Sequence, residues 1–358
     1  MINWYDNFAG VLLGGAVGDA IGLPREGLSP RRALRMFGGA PLHHQLLGRR
    51  GMISDDTEHA CLTAQALLCS RGDPERFARS LAWRLRGWLV GVPAGIGLAT
   101  LRSILKLWIG FSPASSGVYS AGNGPAMRAP ILGIWAAATG ATPADTARFV
   151  EASTRMTHTD PRASEGALVV ALAAAIAAGR EPGQLTPMMI LEEILPHVRG
   201  DELRVALQLV QSHLDQGTAT QQFVESLGLR RGVTGYIVHT VPVALYCWLR
   251  WPTDFRSAVE DAVLAGGDTD TVAAIVGGLA SATQGIDAIP PDWLGGLVEW
   301  PRSRNWMLAL ATRLASASQQ TGGDLSPLPL FWPGLAMRNP LFIAIVLTHG
   351  FRRLLPPY

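Results

Sequence analysis

A hydroxyl and two adjacent carboxylates open an apolar helix in the first part of the chain. They are Ser54, Asp55 and Asp56, within the run Gly-Met-Ile-Ser-Asp-Asp-Thr-Glu at residues 51–58. Oxygen groups gathered at one helix start can hold a cation together. Acidic residues are also common in a first turn, because they complement the helix dipole, and Asp55 with Glu58 resembles a capping box. Taken alone, this segment favours capping.

A second helix start has the same chemical character. Residues 266–271 read Gly-Gly-Asp-Thr-Asp-Thr, so two glycines allow a sharp turn before Asp268, Asp270 and Thr271. Where the chain is still turning, both carboxylates and the Thr271 hydroxyl can converge on one point. The carboxylates of the two segments, if brought together, cannot all stay ionised without cations. Oxygen donors alone select hard ions, Mg²⁺, Mn²⁺ or Ca²⁺, and two unrelated caps on distant surfaces are the alternative.

Two further polar segments stand before helix starts. The turn Ser-Ala-Gly-Asn-Gly contains Ser120, Gly122, Asn123 and Gly124. Its glycines permit left-handed backbone, so successive N–H groups can form a nest for a phosphate, with an ordinary turn as the alternative. His158 lies in a hydroxyl-rich segment just before a capped helix, which makes it a candidate site residue.

These segments together resemble the ADP-ribosylglycohydrolase family. Members carry a G-D-A-x-G opening followed by an acidic residue, then an [S/T]-D-D-T segment, a G-N-G loop, a Thr-His pair and a G-G-D-T-D-T segment. The corresponding positions here are residues 18–22 with Glu26, 54–57, 122–124, 157–158 and 266–271. The order and the separations agree over roughly residues 8–290.

The resemblance implies an all-α fold and a metal-dependent hydrolase that cleaves the glycosidic bond between ADP-ribose and a modified protein side chain. It implies two divalent cations, Mg²⁺ or Mn²⁺, held by Ser54, Asp55, Asp56, Asp268, Asp270 and Thr271. The catalytic residues that it implies are Glu26, Asp55 and Asp270. The substrate-binding residues that it implies are Ser120, Gly122, Asn123 and Gly124 for the phosphates, and His158 in the cleft.

One segment departs from the pattern of the family. Some arginine-specific members carry an Asp in a P-x-D-x-G stretch that contacts the target guanidinium, whereas residues 93–97 here read Pro-Ala-Gly-Ile-Gly. ADP-ribosyl-arginine stays the preferred substrate, because other acidic residues can fill that role. The alternatives are a hydrolase of serine-linked or O-acetyl-ADP-ribose, and a non-catalytic ADP-ribose-binding or toxin-immunity protein. The expected partners are an ADP-ribosylated protein and a cognate ADP-ribosyltransferase.

The elements that position these residues are predicted to be helices. Strand signals are weak, and apolar stripes with capping residues predict helices over residues 8–21, 56–70, 161–178, 203–214, 236–249 and 269–283. Small residues at Gly10, Gly14 and Gly18 give the first of these a flat face for close packing. We expect a single compact multi-helix domain over residues 1–318. Residues 319–358 are predicted to form an appendage, with a Pro/Gly-rich linker at 321–340 and an apolar C-terminal tail.

Composition excludes several classes of protein. Hydrophobic residues make up 48% of the 358 residues and charged residues 16%, which excludes a disordered chain. A net charge of +2 gives no support to nucleic-acid binding. Three scattered cysteines are too few for a disulfide framework and fit a reducing compartment. No signal-peptide pattern opens the chain, and the apolar run at residues 341–347 is far shorter than the roughly 20 residues of a membrane helix. We therefore expect a soluble, cytoplasmic protein.

Overall fold

The computed structural model describes residues 2–180, 184–319 and 326–356. Within those ranges the chain is helical, with isolated β-bridges and no strands, which confirms the predicted all-α fold. The helices are α1 (Trp4–Gly22), α2 (Pro30–Phe37), α3 (Asp55–Ser70), α4 (Pro74–Val90), α5 (Leu98–Trp108), α6 (Gly124–Met127), α7 (Ala129–Thr139), α8 (Pro143–Arg155), α9 (Pro161–Ala178), α10 (Pro187–Ile194), α11 (Asp201–Asp215), α12 (Thr220–Ser226), α13 (Ile237–Arg250), α14 (Phe255–Leu264), α15 (Thr269–Gln284), α16 (Pro291–Gly296), α17 (Arg304–Ser318) and α18 (Trp332–Arg352).

Helices α1 and α15 lie directly against each other in the core. A Cβ atom on Gly18 would lie 2.0 Å from the carbonyl oxygen of Ala273, and one on Gly14 would lie 2.4 Å from that of Gly277. Both distances are shorter than any side chain allows, so only glycine permits this approach of the two backbones. The flat face predicted from the spacing of small residues in α1 is therefore confirmed.

Two segments, Trp4–Arg25 and Pro161–Ala178, are long and apolar enough to cross a membrane by length and composition alone. In their apolar windows, however, 94% and 61% of the residues are buried inside the protein. Core helices of globular proteins have the same length and composition, so these two segments are weak evidence for a membrane location.

The C-terminal segment contains a long helix where the sequence predicts a linker. Residues 320–325, which include the start of the predicted linker, lie outside the described residues, and α18 begins at Trp332. The linker prediction is therefore wrong for residues 332–340. Pro333 stands in the first turn of α18, where no N–H is needed, and Pro340 is accommodated inside the helix. Packing explains this, because Phe342 is buried in a small apolar cluster with three residues of the main body, Leu23, Leu46 and Met52.

Candidate active site

Carboxylates from α1, α3 and α15 come together in the interior of the protein. Asp19, Asp56 and Asp270 each bring one carboxylate oxygen within 4.8 Å of the others. The Thr271 hydroxyl donates to Oδ2 of Asp56 at 3.2 Å, across 215 residues of sequence. The two acidic helix starts thus form one cluster, which rules out unrelated caps on distant surfaces.

The start of α3 is capped by its hydroxyl residue and not by its carboxylates. The Ser54 hydroxyl accepts from the Asp56 N–H at 3.2 Å, so the predicted capping box between Asp55 and Glu58 is wrong. Oδ1 of Asp56 is buried and has no hydrogen-bond partner among the described residues. Because Ser54 caps the helix, neither carboxylate of the pair is needed for capping, and Oδ1 of Asp56 is available to a further ligand.

The carboxylates of the cluster repel one another. Burial, followed by repulsion from Asp55 and Asp19, raises the pKa of Asp56 well above its usual range. Burial, followed by repulsion from Glu26 and Asp56, does the same to the pKa of Asp270. Loss of hydration also raises the pKa of Asp55, with Asp19 as the next cause. Bound cations stabilise a group of carboxylates that repel one another and whose pKa values burial has raised.

Asp19 is a site residue that the sequence analysis did not single out, although it stands in the G-D-A-x-G opening. Its Oδ2 atom accepts from the Ser54 N–H at 2.9 Å, from the Thr57 N–H at 3.2 Å and from the Thr57 hydroxyl at 2.5 Å. Burial raises the pKa of Asp19 to about 6, while the bonds from Thr57 and Ser54 act in the opposite direction. Asp19 therefore fixes the start of α3 on α1.

Asp268 is held by a residue that was expected to bind phosphate. The side-chain amide of Asn123 donates to Oδ2 of Asp268 at 2.6 Å and to the hydroxyl of Thr240 at 2.9 Å. The Asn123 side chain thus connects the loop before α6 to the start of α15. Its direct contact is with the acidic cluster.

The backbone of this loop does not form the predicted left-handed nest. Asn123 has φ −83°, and its N–H donates to the carbonyl of Gly235 at 2.9 Å. The Gly122 N–H donates to the hydroxyl of Ser120 at 3.3 Å. Two of the N–H groups expected to face a phosphate are therefore used within the protein, which corrects this part of the prediction.

The ring of His158 lies directly against the loop, which explains why the loop contains glycines at positions 122 and 124. A Cβ atom on Gly122 would lie 2.9 Å from Nε2 of His158, and one on Gly124 would lie 3.2 Å from Cε1. Burial, followed by the charge of Arg128, lowers the pKa of His158 to about 3, so the ring is neutral. Nδ1 of His158 lies 2.9 Å from the hydroxyl of Thr157, which also accepts from Arg128 at 2.9 Å.

The Thr157 hydroxyl connects the His158 ring to the end of α8. It lies 2.9 Å from Nδ1 of His158 and 3.2 Å from the carbonyl of Thr154, and its single proton can be donated to one of these two acceptors. Arg128, which holds Thr157 from below, is fully buried and also donates to the carbonyl of Ser153 at 2.8 Å.

Glu26 lies on the exposed loop that follows α1. The next residue, Gly27, donates its N–H to the carbonyl of Gly267 at 2.7 Å, which places the loop beside the start of α15. Reduced hydration, followed by repulsion from Asp268, raises the pKa of Glu26, while the charge of Arg353 acts in the opposite direction. Glu26 is therefore exposed, and a carboxylate of the cluster, Asp268, acts on its pKa.

The segment that departs from the family pattern borders the same cluster. Gly95 has φ +80°, and a Cβ atom at this position would lie 3.0 Å from Oδ1 of Asp55. The segment at residues 93–97 is thus placed where it can contact a group bound next to Asp55. It brings no carboxylate of its own.

Comparisons with known proteins agree with this geometry. A family model described as ADP-ribosylglycohydrolase matches residues 1–324. The ADP-ribosyl-dinitrogen reductase glycohydrolase of Rhodospirillum rubrum is 29% identical, over 82% of this chain and 90% of its own. Human ADP-ribosylhydrolase ARH3 is 29% identical over 67% of this chain and 73% of its own. A solved structure of an ADP-ribosylglycohydrolase-related protein complex is similar with a TM-score of 0.65 at 29% identity, covering 88% of this chain and 98% of that one.

Proposed function

The chain belongs to the ADP-ribosylglycohydrolase family, and we propose that it hydrolyses the glycosidic bond between ADP-ribose and a modified protein side chain. The observation that carries this proposal is the convergence of two acidic helix starts, far apart in sequence, on one buried cluster. An exposed glutamate, Glu26, borders the same cluster. Such a set of carboxylates argues for a catalyst and against a protein that only binds ADP-ribose.

We propose that the cluster holds two divalent cations, Mg²⁺ or Mn²⁺. The residues present fit such ions, because the donor set consists of oxygens and Oδ1 of Asp56 is buried without a partner among the described residues. The proposed ligands are Ser54, Asp55, Asp56, Asp268, Asp270 and Thr271. Divalent ions bound there would supply positive charge that offsets the carboxylates and polarises oxygen atoms at the reacting centre.

The residues of the chain then have distinct tasks in the reaction. Cleavage at the anomeric carbon of ribose passes through an oxocarbenium-like state, and the leaving group or the attacking water exchanges a proton. Glu26, with its raised pKa and open position, is the proposed general acid or base. Asp55 and Asp270 are the proposed catalytic carboxylates of the cluster itself. Asp19 and Asn123 keep Asp56 and Asp268 in place.

The loop above His158 is the proposed site for the ADP-ribose diphosphate. Ser120, Gly122, Asn123 and Gly124 border the cluster through the bond between Asn123 and Asp268. Below the loop, the buried charge of Arg128 favours an anion without requiring a basic protein surface. The neutral ring of His158 supports the loop from beneath and lines the cleft.

We propose arginine as the modified side chain, because a guanidinium leaving group would find an exposed acidic residue, Glu26, beside the cluster. A specific observation favours a second candidate, serine-linked ADP-ribose or O-acetyl-ADP-ribose. Gly95 faces Asp55 without a carboxylate to receive a guanidinium. For either side-chain linkage, arginine or serine, a cognate ADP-ribosyltransferase would make the substrate. The free cysteines fit a reducing compartment, and we propose the cytoplasm.

A release assay tests the proposal. Test proteins ADP-ribosylated on arginine or on serine are incubated with the protein and Mg²⁺ or Mn²⁺, and free ADP-ribose is measured by mass spectrometry. Release from the arginine-modified protein supports the first candidate, and release from the serine-modified protein alone supports the second. Binding of ADP-ribose without release from either substrate, or from O-acetyl-ADP-ribose, contradicts a hydrolase.

A further inference from the structure

Helix α18 lies against the segments that carry the acidic cluster, although it follows the last residue matched by the family model, residue 324. Its Phe342 packs with Leu23, which precedes the Glu26 loop, and with Met52, which precedes the start of α3. The small apolar cluster around Phe342 also contacts Ala94, next to the glycine that faces Asp55. One helix therefore shares an apolar cluster with three site-bearing segments.

Polar bonds fix α18 to the backbone of the same segments. Arg338 donates to the carbonyl of Ile53 at 2.6 Å, immediately before Ser54. The side-chain amide of Asn339 donates to the carbonyl of Gly91 at 2.5 Å. Both side chains are buried, so these bonds are shielded from water and hold the helix in one register.

The end of α18 reaches the Glu26 loop itself. The guanidinium of Arg353 donates to the carbonyl of Glu26 at 2.7 Å and to that of Pro24 at 3.1 Å. The carbonyl of Arg353 in turn accepts from the guanidinium of Arg32, on α2. On its other side the loop is bonded to Gly267, next to Asp268, so the backbone of Glu26 lies between two anchors.

We propose that Arg353 is a positioning residue that holds the Glu26 loop against the acidic cluster, and that α18 is the part of the chain that carries this clamp. Its catalytic consequence rests on the proposed function of Glu26. The structural consequence does not, because it concerns only the order of a loop. The tail of this protein thus acts on the site as well as on stability.

Hydrogen exchange measures the clamp without any substrate. The N–H groups of Glu26, Gly27 and Leu28 are hydrogen-bonded and report on the loop. In full-length Arg353→Ala with Mg²⁺, we expect their exchange to accelerate about tenfold or more while α15 keeps its protection. Arg352→Ala is the matched control, because Arg352 contacts the ring of Phe37 instead of the loop.

Kinetics measures the catalytic consequence on the ADP-ribosylated test protein that the wild type cleaves. A loosened Glu26 should lower kcat about tenfold to a hundredfold and leave KM within about twofold. Arg353→Lys, which keeps the charge with fewer donors, should restore part of kcat and of the protection. If exchange in α15 also accelerates in Arg353→Ala, that variant is damaged more widely than at the loop. The test then rests on Arg353→Lys, in which partial recovery of the loop's protection and of kcat supports the clamp.

Equal exchange of the loop in the Arg353 and Arg352 variants would overturn the clamp, and an unchanged kcat in Arg353→Ala would overturn its role in positioning Glu26. A wild-type protein that releases no ADP-ribose would contradict the proposed function. The exchange comparison alone would then decide whether Arg353 fixes the loop.

Discussion

Asp56 is the residue at which the cation hypothesis is tested most directly, because its buried Oδ1 lacks a partner among the described residues. Mg²⁺ should raise the melting temperature of the wild type, since a ligand of the native state contributes about 4 kcal/mol at a thousand times its Kd. Asp56→Asn should lose both this rise and the turnover. Glu75→Gln, which changes an exposed carboxylate, should keep both.

The same variant distinguishes the loss of charge repulsion from a general loss of stability. In chelator, Asp56→Asn removes one of several mutually repelling carboxylates and should be at least as stable as the wild type. Scanning calorimetry with and without Mg²⁺ measures both effects. A variant that is less stable than the wild type in chelator, or that still responds to Mg²⁺ like the wild type, contradicts the proposed role of Asp56.

Glu26 is the residue whose proton transfer can be separated from binding. Glu26→Gln keeps the shape of the side chain and removes its ionisable group. We expect the rate of ADP-ribose release to fall by roughly two to four orders of magnitude, the usual contribution of an acid–base group. The Kd for ADP-ribose, measured by calorimetry, should stay within about threefold in the same comparison. A wild-type rate would assign the proton transfer to another group.

At the scale of single residues, the sequence predicts which residues belong to the site better than it predicts which residues they contact. Asp268 and Asp56 are recognisable because two helix starts with the same set of carboxylates and hydroxyls occur in one chain. The tasks of Asp19 and Asn123 depend on long-range contacts, from α1 to α3 and from a loop to α15, and no local pattern contains them. The roles assigned to the site residues by resemblance stay predictions until the assays above are done.

At the scale of the elements, the close contact of α1 with α15 can be tested by a substitution that adds a single methyl group. Gly18→Ala would place Cβ 2.0 Å from the Ala273 carbonyl oxygen, so the helices must separate, at about 1–3 kcal/mol or more. Gly15→Ala would place Cβ 3.5 Å from the nearest atom, an ordinary contact, and should be neutral or stabilising. Thermal unfolding followed by circular dichroism compares the two. Equal melting temperatures would contradict the close packing.

Helix starts and stops with local causes were predictable from sequence. Asp160 caps α9 by accepting from the Arg162 N–H at 3.0 Å, and α9 stops at Gly179, as expected. In α18 the local signals predict a linker and not a helix, because Pro333 and Pro340 are typical of linkers. The helix forms there because Phe342 and Arg338 are buried against the main body, and tertiary packing outweighs local preference.

At the scale of the whole molecule, α18 is attached to the body by a buried ion pair. Arg338 contacts Glu299 through two bonds, at 3.0 and 2.9 Å, and both side chains are buried. Arg338→Ala should lower the free energy of unfolding by about 3–5 kcal/mol, because it leaves the Glu299 carboxylate unpaired in the interior. Adding Glu299→Gln removes that charge and should recover part of the loss. A double variant no more stable than Arg338→Ala would contradict this explanation.

The pairing of α1 with α15 also determines when this protein can fold during its synthesis. The Thr269 hydroxyl donates to the carbonyl of Gly22 across 247 residues, and most of α1 is buried in the finished protein. At about 5–20 residues per second, an apolar α1 leaves the ribosome on the order of 10–50 s before its partner exists. The nascent chain must therefore carry an exposed apolar helix for most of its translation. We expect it to bind a holdase chaperone until residues 269–284 emerge.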